Sequence, residues 1–318
     1  MTVTIGGPAA LQVSPIALGA LSLGSAVDER TSYAVLDRFR ELGGTFVDTA
    51  DNYVFWDGGS GDESETTLGR WMAERGVRDE IVLATKVGAR PRTPGSGLED
   101  AEGLSGRAIR AALEGSLRRL QTDRVDLLYA HIEDRSVPLA ETVGTFGALV
   151  ADGSARVLGV SNHPAWRIER ARAVATVSGV PRYTVVQQRY SYVQARPGRS
   201  LQAAGHVHAS EELLDYVAAE PDLTLVAYSS LLSGAYTRSD KTLPPAYDHP
   251  GVAARLTALR EVAADVGATP NQVVLAWLIG RGIVPVVGVT RVEQLEEVMA
   301  AQDLRLDADA TKRLDEAD

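Results

Sequence analysis

The sequence predicts a single-domain α/β protein, a (β/α)8 TIM barrel, and three observations lead to this prediction. Short apolar runs alternate with longer amphipathic runs along the chain, which is typical of parallel strands joined by helices. Eight of the short runs are rich in Val, Ile and Leu on both faces, as buried parallel strands are. The chain has 318 residues, which suits the roughly 250 residues of one barrel plus long loops. No linker interrupts the pattern, so we expect one domain over residues 1–318.

The predicted elements follow one another in strict alternation. The strands are expected at Pro15–Ala20, Thr45–Ala50, Ile81–Val87, Val125–Ile132, Arg156–Asn162, Tyr183–Tyr190, Leu223–Ser229 and Ile283–Val289. The helices are expected at Thr31–Leu42, Ser105–Leu120, Leu139–Val150, Trp166–Val177, Glu211–Ala219, Gln272–Ile279 and Val292–Met299. Before them, Val3–Ile5 and Leu11–Val13 should form an N-terminal β-hairpin that caps the bottom of the barrel. Long irregular segments at Ser191–Ala209 and Leu231–Gly251 are expected to form functional loops at the C-terminal face.

Composition and charge restrict the class of protein. The formal net charge is -10, and the chain contains no cysteine. An acidic chain repels phosphate backbones, so a nucleic-acid partner is not expected. The absence of cysteine excludes disulfides, thiol nucleophiles and iron–sulfur clusters. A membrane-spanning helix needs about 18 consecutive apolar residues, and no run in the sequence is that long. No signal peptide is recognisable either, so we expect a cytoplasmic protein.

Polar residues within the predicted strands cluster at the carboxyl ends of those strands. Asp48 ends the second strand, Lys86 lies near the end of the third, and His131 ends the fourth. Similar polar residues end the later strands: Ser161, Asn162, Gln187, Tyr228 and Ser229. Barrel enzymes build their active sites on that face. Because a buried Lys or Asp is costly unless it is paired, we expect these groups to meet each other or a ligand.

Four motifs in this region, in order along the chain, resemble those of the aldo-keto reductases. They are the run Asp48-Thr49-Ala50-Asp51-Asn52-Tyr53, the Lys86 of ATKVG, the His131 of LLYAHIED and the segment VLGVSNH. The resemblance spans nearly the whole chain. It implies an oxidoreductase that reduces an aldehyde, a ketone or a sugar-derived carbonyl with NADPH. It also implies a catalytic tetrad of Asp48, Tyr53, Lys86 and His131.

The chemistry of carbonyl reduction explains why these residue types are needed. A ketone that accepts hydride becomes an alkoxide and must take a proton, for which Tyr53 is the candidate donor. The pKa of a free tyrosine is about 10, and the ammonium group of Lys86 is expected to lower it. Asp48 would hold Lys86 in place. His131 would donate a hydrogen bond to the carbonyl oxygen and stabilise its developing charge.

The resemblance also implies where the nicotinamide binds. No GxGxxG fingerprint follows a predicted strand, so a Rossmann site is absent, and in this family the nicotinamide lies across the barrel mouth. By resemblance, Ser161, Asn162 and Gln187 bind its carboxamide and Tyr228 stacks on its ring. Gln187 is preferred over Gln188 because the spacing QxxYS matches the family.

The phosphates of the cofactor should meet backbone N–H groups and helix N-termini after the seventh and eighth strands. The candidates after the seventh strand are Ser229, Leu231 and Ser233. The segment after the eighth strand resembles the family's adenosine site, with Gly288, Thr290, Arg291, Gln294 and Glu297. Thr290 and Arg291 would hold a 2′-phosphate, so NADPH is preferred to NADH. Val298 departs from the family, which usually has Asn at this position.

The substrate pocket is expected to include aromatic side chains. Phe55 and Trp56 follow Tyr53 closely, and Tyr129 shares the side of its strand with His131. These three residues are compatible with an apolar or sugar-like substrate and do not identify it. We expect a small-molecule carbonyl substrate, no metal ion and a monomer.

Two other functions remain open at this point. Some relatives of this fold bind NADPH and act as regulatory subunits with slow chemistry. A metal-dependent barrel hydrolase would use Asp48, His131 and the pair His206 and His208. No carboxylate motif accompanies that pair, which favours a simple loop surface.

Overall fold

Eight parallel strands close into a barrel in the computed structural model, which describes residues 2–93, 95–196, 198–199 and 205–317. An antiparallel hairpin comes first, formed by β1 (Val3–Ile5) and β2 (Leu11–Val13). The barrel strands are β3 (Ala17–Gly19), β4 (Phe46–Asp48), β5 (Val82–Val87), β6 (Val125–Ala130), β7 (Ala155–Ser161), β8 (Val185–Arg189), β9 (Thr224–Tyr228) and β10 (Val284–Val287). Each strand pairs with the next, and β10 pairs with β3 to close the ring. The predicted fold class is confirmed.

Helices follow the barrel strands and cover the outside of the sheet. They are α1 (Glu29–Glu41), α2 (Glu63–Arg75), α3 (Gly106–Leu120), α4 (Leu139–Ala151), α5 (Ala165–Ser178), α6 (Glu211–Ala219), α7 (Pro250–Asp265), α8 (Pro270–Gly280), α9 (Val292–Met299) and α10 (Ala308–Asp315). Side-chain caps fix where several of them begin. Asp28 accepts a hydrogen bond from the Thr31 backbone at the start of α1, and Thr269 and Gln272 form a capping box at α8.

The element bounds agree with the sequence prediction where an apolar stripe was clear. The helices α6 and α9 have the predicted limits, and most observed strands are shorter than predicted by a few residues. No bounds were predicted for the helices α2, α7 and α10. The segment Leu231–Gly251 contains two short 3-10 turns, at Leu232–Gly234 and Pro245–Tyr247, and reaches into the start of α7. No single helix in the described ranges is long and apolar enough to span a membrane, although α7 and α8, bent by 97°, pass that test as a pair.

The core has two compartments, one inside the barrel and one between the barrel and the helices. Alternate residues of a strand enter different compartments, as Leu127 and Leu128 of β6 do. The hairpin residues Ile5, Leu11 and Val13 belong to the inner compartment. The hairpin therefore closes one end of the barrel, as predicted. The other end, where the strands have their carboxyl termini, carries the candidate site.

Candidate active site

A buried lysine lies at the centre of the candidate site. Lys86 is on β5, beside β4, and its side chain is 1% exposed. Its Nζ donates hydrogen bonds to Asp48 Oδ1 at 2.6 Å, to the Thr49 carbonyl oxygen at 2.8 Å and to the Tyr53 hydroxyl oxygen at 2.5 Å. An ammonium group has three hydrogens to donate. Every donor of Lys86 is therefore satisfied within the protein.

The carboxylate of Asp48 is held equally well. Oδ1 accepts from Lys86 and, at 3.3 Å, from the Tyr53 hydroxyl. Oδ2 accepts from Gln187 Nε2 at 2.8 Å. Gln187 reaches Asp48 because it faces the inside of the barrel, whereas Gln188 faces outward and accepts from the Asn162 backbone N–H. The QxxYS spacing thus selected the glutamine that points into the site.

The pKa of Tyr53 is shifted in the direction opposite to the sequence-based expectation. Burial raises the pKa of Tyr53 well above 10, and the adjacent carboxylate of Asp48 raises it further. Burial lowers the pKa of Lys86, and the attraction of Asp48 opposes that change. The nearby charge of Lys86 was expected to have the largest effect on the pKa of the phenol, but burial has the larger effect. Tyr53 consequently keeps its proton at neutral pH.

His131 follows β6 directly and stands beside the phenol. Its ring makes an edge contact with the Tyr53 ring, with centroids 6.3 Å apart. Burial lowers the pKa of His131 well below 6.5, and the charge of Lys86 adds to this effect. Its Nδ1 is buried without a hydrogen-bond partner among the described residues. The imidazole is therefore neutral at pH 7, with one N–H to donate.

Tyr129 of β6 is the register partner of Lys86 and faces the inside of the barrel. Its side chain is fully buried, and Lys86 Nζ is 6.0 Å from the centre of its ring. The ring lies against Gly159 of the neighbouring β7, where an added Cβ would come within 2.5 Å of it. The expected inward orientation is confirmed. The predicted contact between Tyr129 and substrate stays a prediction.

Apolar side chains stand at the rim of the site. Phe55 and Trp56 lie in a 3-10 turn after β4, and Trp56 is 58% exposed. Leu21, in the neighbouring loop after β3, is 41% exposed. Sequence reasoning missed Leu21 because a single leucine in a loop gives no signal. These side chains follow the carboxyl ends of β3 and β4, at the same end of the barrel as Tyr53.

Asn162 connects the later strands to the tetrad. It has a left-handed backbone with φ of 57°, and its Nδ2 donates to the His131 carbonyl oxygen at 3.2 Å. Its Oδ1 accepts from the Tyr228 hydroxyl at 2.8 Å and from the Val207 N–H at 3.1 Å. Its Nδ2 also donates to Ser161 Oγ. The predicted carboxamide-binding residues Ser161, Asn162, Gln187 and Tyr228 therefore lie together at the barrel mouth.

The loop after β9 has an unusual backbone. Ser229, Leu232 and Ser233 have left-handed φ values of 55°, 48° and 57°. Such values are uncommon outside glycine and often mark a functional constraint. Leu231, in the same loop, is half-buried. Three of the predicted phosphate contacts, Ser229, Leu231 and Ser233, are thus in one irregular turn.

The loop after β10 presents the remaining predicted cofactor residues. Gly288, Thr290 and Arg291 are exposed, and Gln294 accepts from the Thr290 backbone N–H at 2.9 Å. Arg291 is the N-cap of α9 and makes no side-chain cap. Two further side chains, Glu297 and Val298, face the protein. Glu297 accepts from Thr269 at 2.8 Å and from Asn271 at 3.3 Å, and Val298 is buried in the core.

Buried acidic groups that interact electrostatically with Lys86 were not anticipated. Asp51, two residues before Tyr53, is 1% exposed, and burial together with the Glu102 carboxylate raises its pKa well above 3.8. Glu65 of α2 is fully buried and accepts from Arg119 at 2.8 Å and Thr85 at 2.5 Å. Within the described ranges, no group of three His, Cys, Asp or Glu side chains is arranged to hold a metal ion.

Comparison with known proteins decides the family. The family model described as "Aldo/keto reductase family" matches residues 15–318. The chain belongs to the aldo/keto reductase family. It is 33% identical to norsolorinic acid reductase stcV of Emericella nidulans over 307 residues, covering 91% of this chain and 74% of that protein. It is 31% identical to the uncharacterized oxidoreductase YrpG of Bacillus subtilis, covering 99% of this chain and 95% of that protein.

A solved aldo/keto reductase has the same architecture. The enzyme from Klebsiella pneumoniae, crystallised with NADP and acetate, superposes with a TM-score of 0.74 at 25% sequence identity. The alignment covers 99% of this chain and 95% of that one. The resemblance seen in the sequence motifs is confirmed. The protein is an oxidoreductase of the aldo/keto reductase family.

Proposed function

We propose that this protein reduces a carbonyl group to an alcohol with hydride from NADPH, and that Tyr53 donates the proton. One observation carries the proposal: Lys86 Nζ contacts the Tyr53 hydroxyl at 2.5 Å and Asp48 at 2.6 Å in a fully buried position. Family membership supports the reaction class. The NADP bound to the Klebsiella relative supports the cofactor.

Each member of the tetrad has a distinct task in the proposed reaction. A reduced nicotinamide, when bound, supplies the hydride. The neutral phenol of Tyr53 gives its proton to the oxygen that becomes the alcohol. Lys86 already touches the phenol oxygen, so its ammonium stabilises the phenolate as the proton leaves. Asp48 keeps Lys86 charged in a buried place, and the neutral imidazole of His131 donates a hydrogen bond to the substrate oxygen.

The residues at the barrel mouth fit a nicotinamide dinucleotide in their chemistry. The irregular turn that includes Ser229 and Ser233 has backbone N–H groups of the kind that bind phosphate. Arg291 is exposed at the start of α9, where a cation suits a 2′-phosphate. The amides of Asn162 and Gln187 already have protein partners. A bound carboxamide would therefore share or replace those hydrogen bonds.

The rim of the site favours a substrate with an apolar body. Trp56 and Leu21 expose apolar side chains in the loops after β4 and β3, at the end of the barrel that carries Tyr53. Binding there would remove this surface from water, at about 25 cal/mol per Å². The relative named as a norsolorinic acid reductase makes norsolorinic acid one carbonyl compound worth testing.

A carbonyl panel with NADPH tests the proposal. Loss of the reduced-nicotinamide absorbance should accompany alcohol formation, and aldehydes with an apolar body should be among the best substrates. Tyr53→Phe should remove most turnover. Tyr183→Phe is the matched control, because Tyr183 is buried and its hydroxyl has no hydrogen-bond partner in the described part of the chain. Full turnover in Tyr53→Phe would refute the assignment of the proton donor.

A further inference from the structure

Arg189 occupies a special position at the carboxyl end of β8. In the parallel register its Cα lies beside that of Tyr228 on β9. It is two residues after Gln187, so both side chains start on the same face of the strand. Gln187 reaches Asp48 of the tetrad. Arg189 therefore stands one layer above the tetrad, at the barrel mouth.

The guanidinium of Arg189 lacks the partner that such a group usually has. Arg189 is half-buried, and its only side-chain hydrogen bond among the described residues runs from Nε to the Tyr247 hydroxyl, at 3.4 Å. None of the ion pairs in the described ranges includes it. Arginine has five N–H donors, and partly buried charges are normally paired. Most of its donors are thus available.

Two histidines lie near this cation without neutralising it. His208 is bridged to Arg189 through the backbone, and its ring contacts Tyr247 with centroids 6.3 Å apart. The His206 ring contacts Tyr228 with centroids 5.3 Å apart. Partial burial and the charge of Arg189 lower the pKa of both histidines, so both rings are neutral at pH 7. The group has one full charge, which is positive, and each histidine adds one N–H donor.

We propose that Arg189, with His206 and His208 beside it, binds an anionic oxygen group, either a phosphate or a carboxylate, of a molecule in the barrel mouth. Two sources have this chemistry: the pyrophosphate of the dinucleotide and an acidic substituent on the carbonyl substrate. The planar guanidinium can donate two parallel hydrogen bonds to a phosphate or to a carboxylate, and partial burial strengthens its electrostatic attraction for either group. The inference rests on the proposed reductase function for the identity of these two sources.

The test uses three variants of the full chain. Arg189→Met removes the charge and keeps a side chain of similar length. Arg189→Lys keeps the positive charge but removes the planar guanidinium and its paired N–H donors. Arg156→Met is the matched control, because Arg156 is on the neighbouring β7 at the opposite end of the barrel. Thermal melts establish that each variant is folded. Titration of protein fluorescence with NADPH measures cofactor binding, and steady-state kinetics compare benzaldehyde with 4-carboxybenzaldehyde.

The two sources give different results. If the pyrophosphate is the ligand, Arg189→Met should weaken NADPH binding by about 10- to 100-fold, the value of a charge-assisted hydrogen bond. If the substrate is the ligand, NADPH affinity should be unchanged. The KM for 4-carboxybenzaldehyde should then rise by about 10-fold or more relative to that for benzaldehyde. Arg189→Lys should recover part of either loss, and Arg156→Met should behave as wild type.

Unchanged NADPH affinity together with an unchanged KM ratio in folded Arg189→Met would overturn the proposal. Failure of the reductase function itself looks different. In that case the wild-type protein reduces neither aldehyde. The cofactor titration would then still report whether Arg189 binds the pyrophosphate.

Discussion

Removing the ammonium of Lys86 should destabilise the protein strongly, even without any cofactor. Lys86 and Asp48 are each 1% exposed, and their hydrogen bonds are satisfied by one another and by Tyr53, Thr49 and Gln187. The variant Lys86→Met leaves the carboxylate of Asp48 buried with two neutral donors. Breaking a buried pair in this way costs about 3–5 kcal/mol. The free energy of unfolding of a typical domain is about 5–15 kcal/mol, so this cost is a large share of it.

Urea denaturation of Lys86→Met, Asp48→Asn and the double variant measures this cost. The double variant should be less destabilised than the sum of the single variants, because it leaves no unpaired charge. Lys241→Met is the control, since Lys241 is exposed and makes no ion pair in the described part of the chain. If Lys86→Met unfolds within about 0.5 kcal/mol of wild type, which is typical of a surface substitution, the reasoning about this pair is refuted.

Three further predictions concern pH, packing and cofactor choice. Burial lowers the pKa of His163 to about 4. Below pH 6.5 the unfolded chain therefore binds a proton at His163 that the folded chain does not bind, and the free energy of unfolding should fall by roughly 3 kcal/mol by pH 4. The His163→Gln variant should lack this part of the fall when denaturation is measured as a function of pH. Parallel curves for wild type and variant would contradict the prediction. Gly159→Ala should push Tyr129 aside and cost about 1–3 kcal/mol in thermal unfolding, whereas Gly144→Ala, with open space around it, should not. Arg291→Ala should weaken NADPH binding by about 10-fold in a fluorescence titration and leave NADH unchanged; equal losses would argue against a 2′-phosphate contact.

The sequence predicted those parts of the fold in which a single physical pattern dominates. Buried parallel strands need apolar residues on both faces, so all eight barrel strands were recognisable. The bounds of α2 were not predicted, because its inner face contains the polar residues Ser64, Glu65 and Thr67. The helix α7 was missed because its first turn follows a Pro-rich loop and because alanines on several sides of the helix weaken the periodic pattern of apolar residues.

The candidate site was predictable in its members and less so in its energetics. Strand ends on one face of a barrel converge, so the meeting of Asp48, Lys86 and His131 followed from the strand assignment. The pKa of Tyr53 did not follow, because the effect of burial depends on packing that no motif records. Arg189 was also missed, since an arginine at a strand end has the same pattern whether it is paired or free.

The role of Tyr53 as proton donor can be measured directly from the rate of hydride transfer in a single turnover. Wild type and Tyr53→Phe would be mixed with saturating NADPH and a carbonyl substrate in a stopped-flow instrument. Loss of a positioned general acid should slow the transfer by about 10²–10⁴-fold, while the Kd for NADPH stays within about twofold. A hydride-transfer rate in Tyr53→Phe equal to that of wild type would contradict the account.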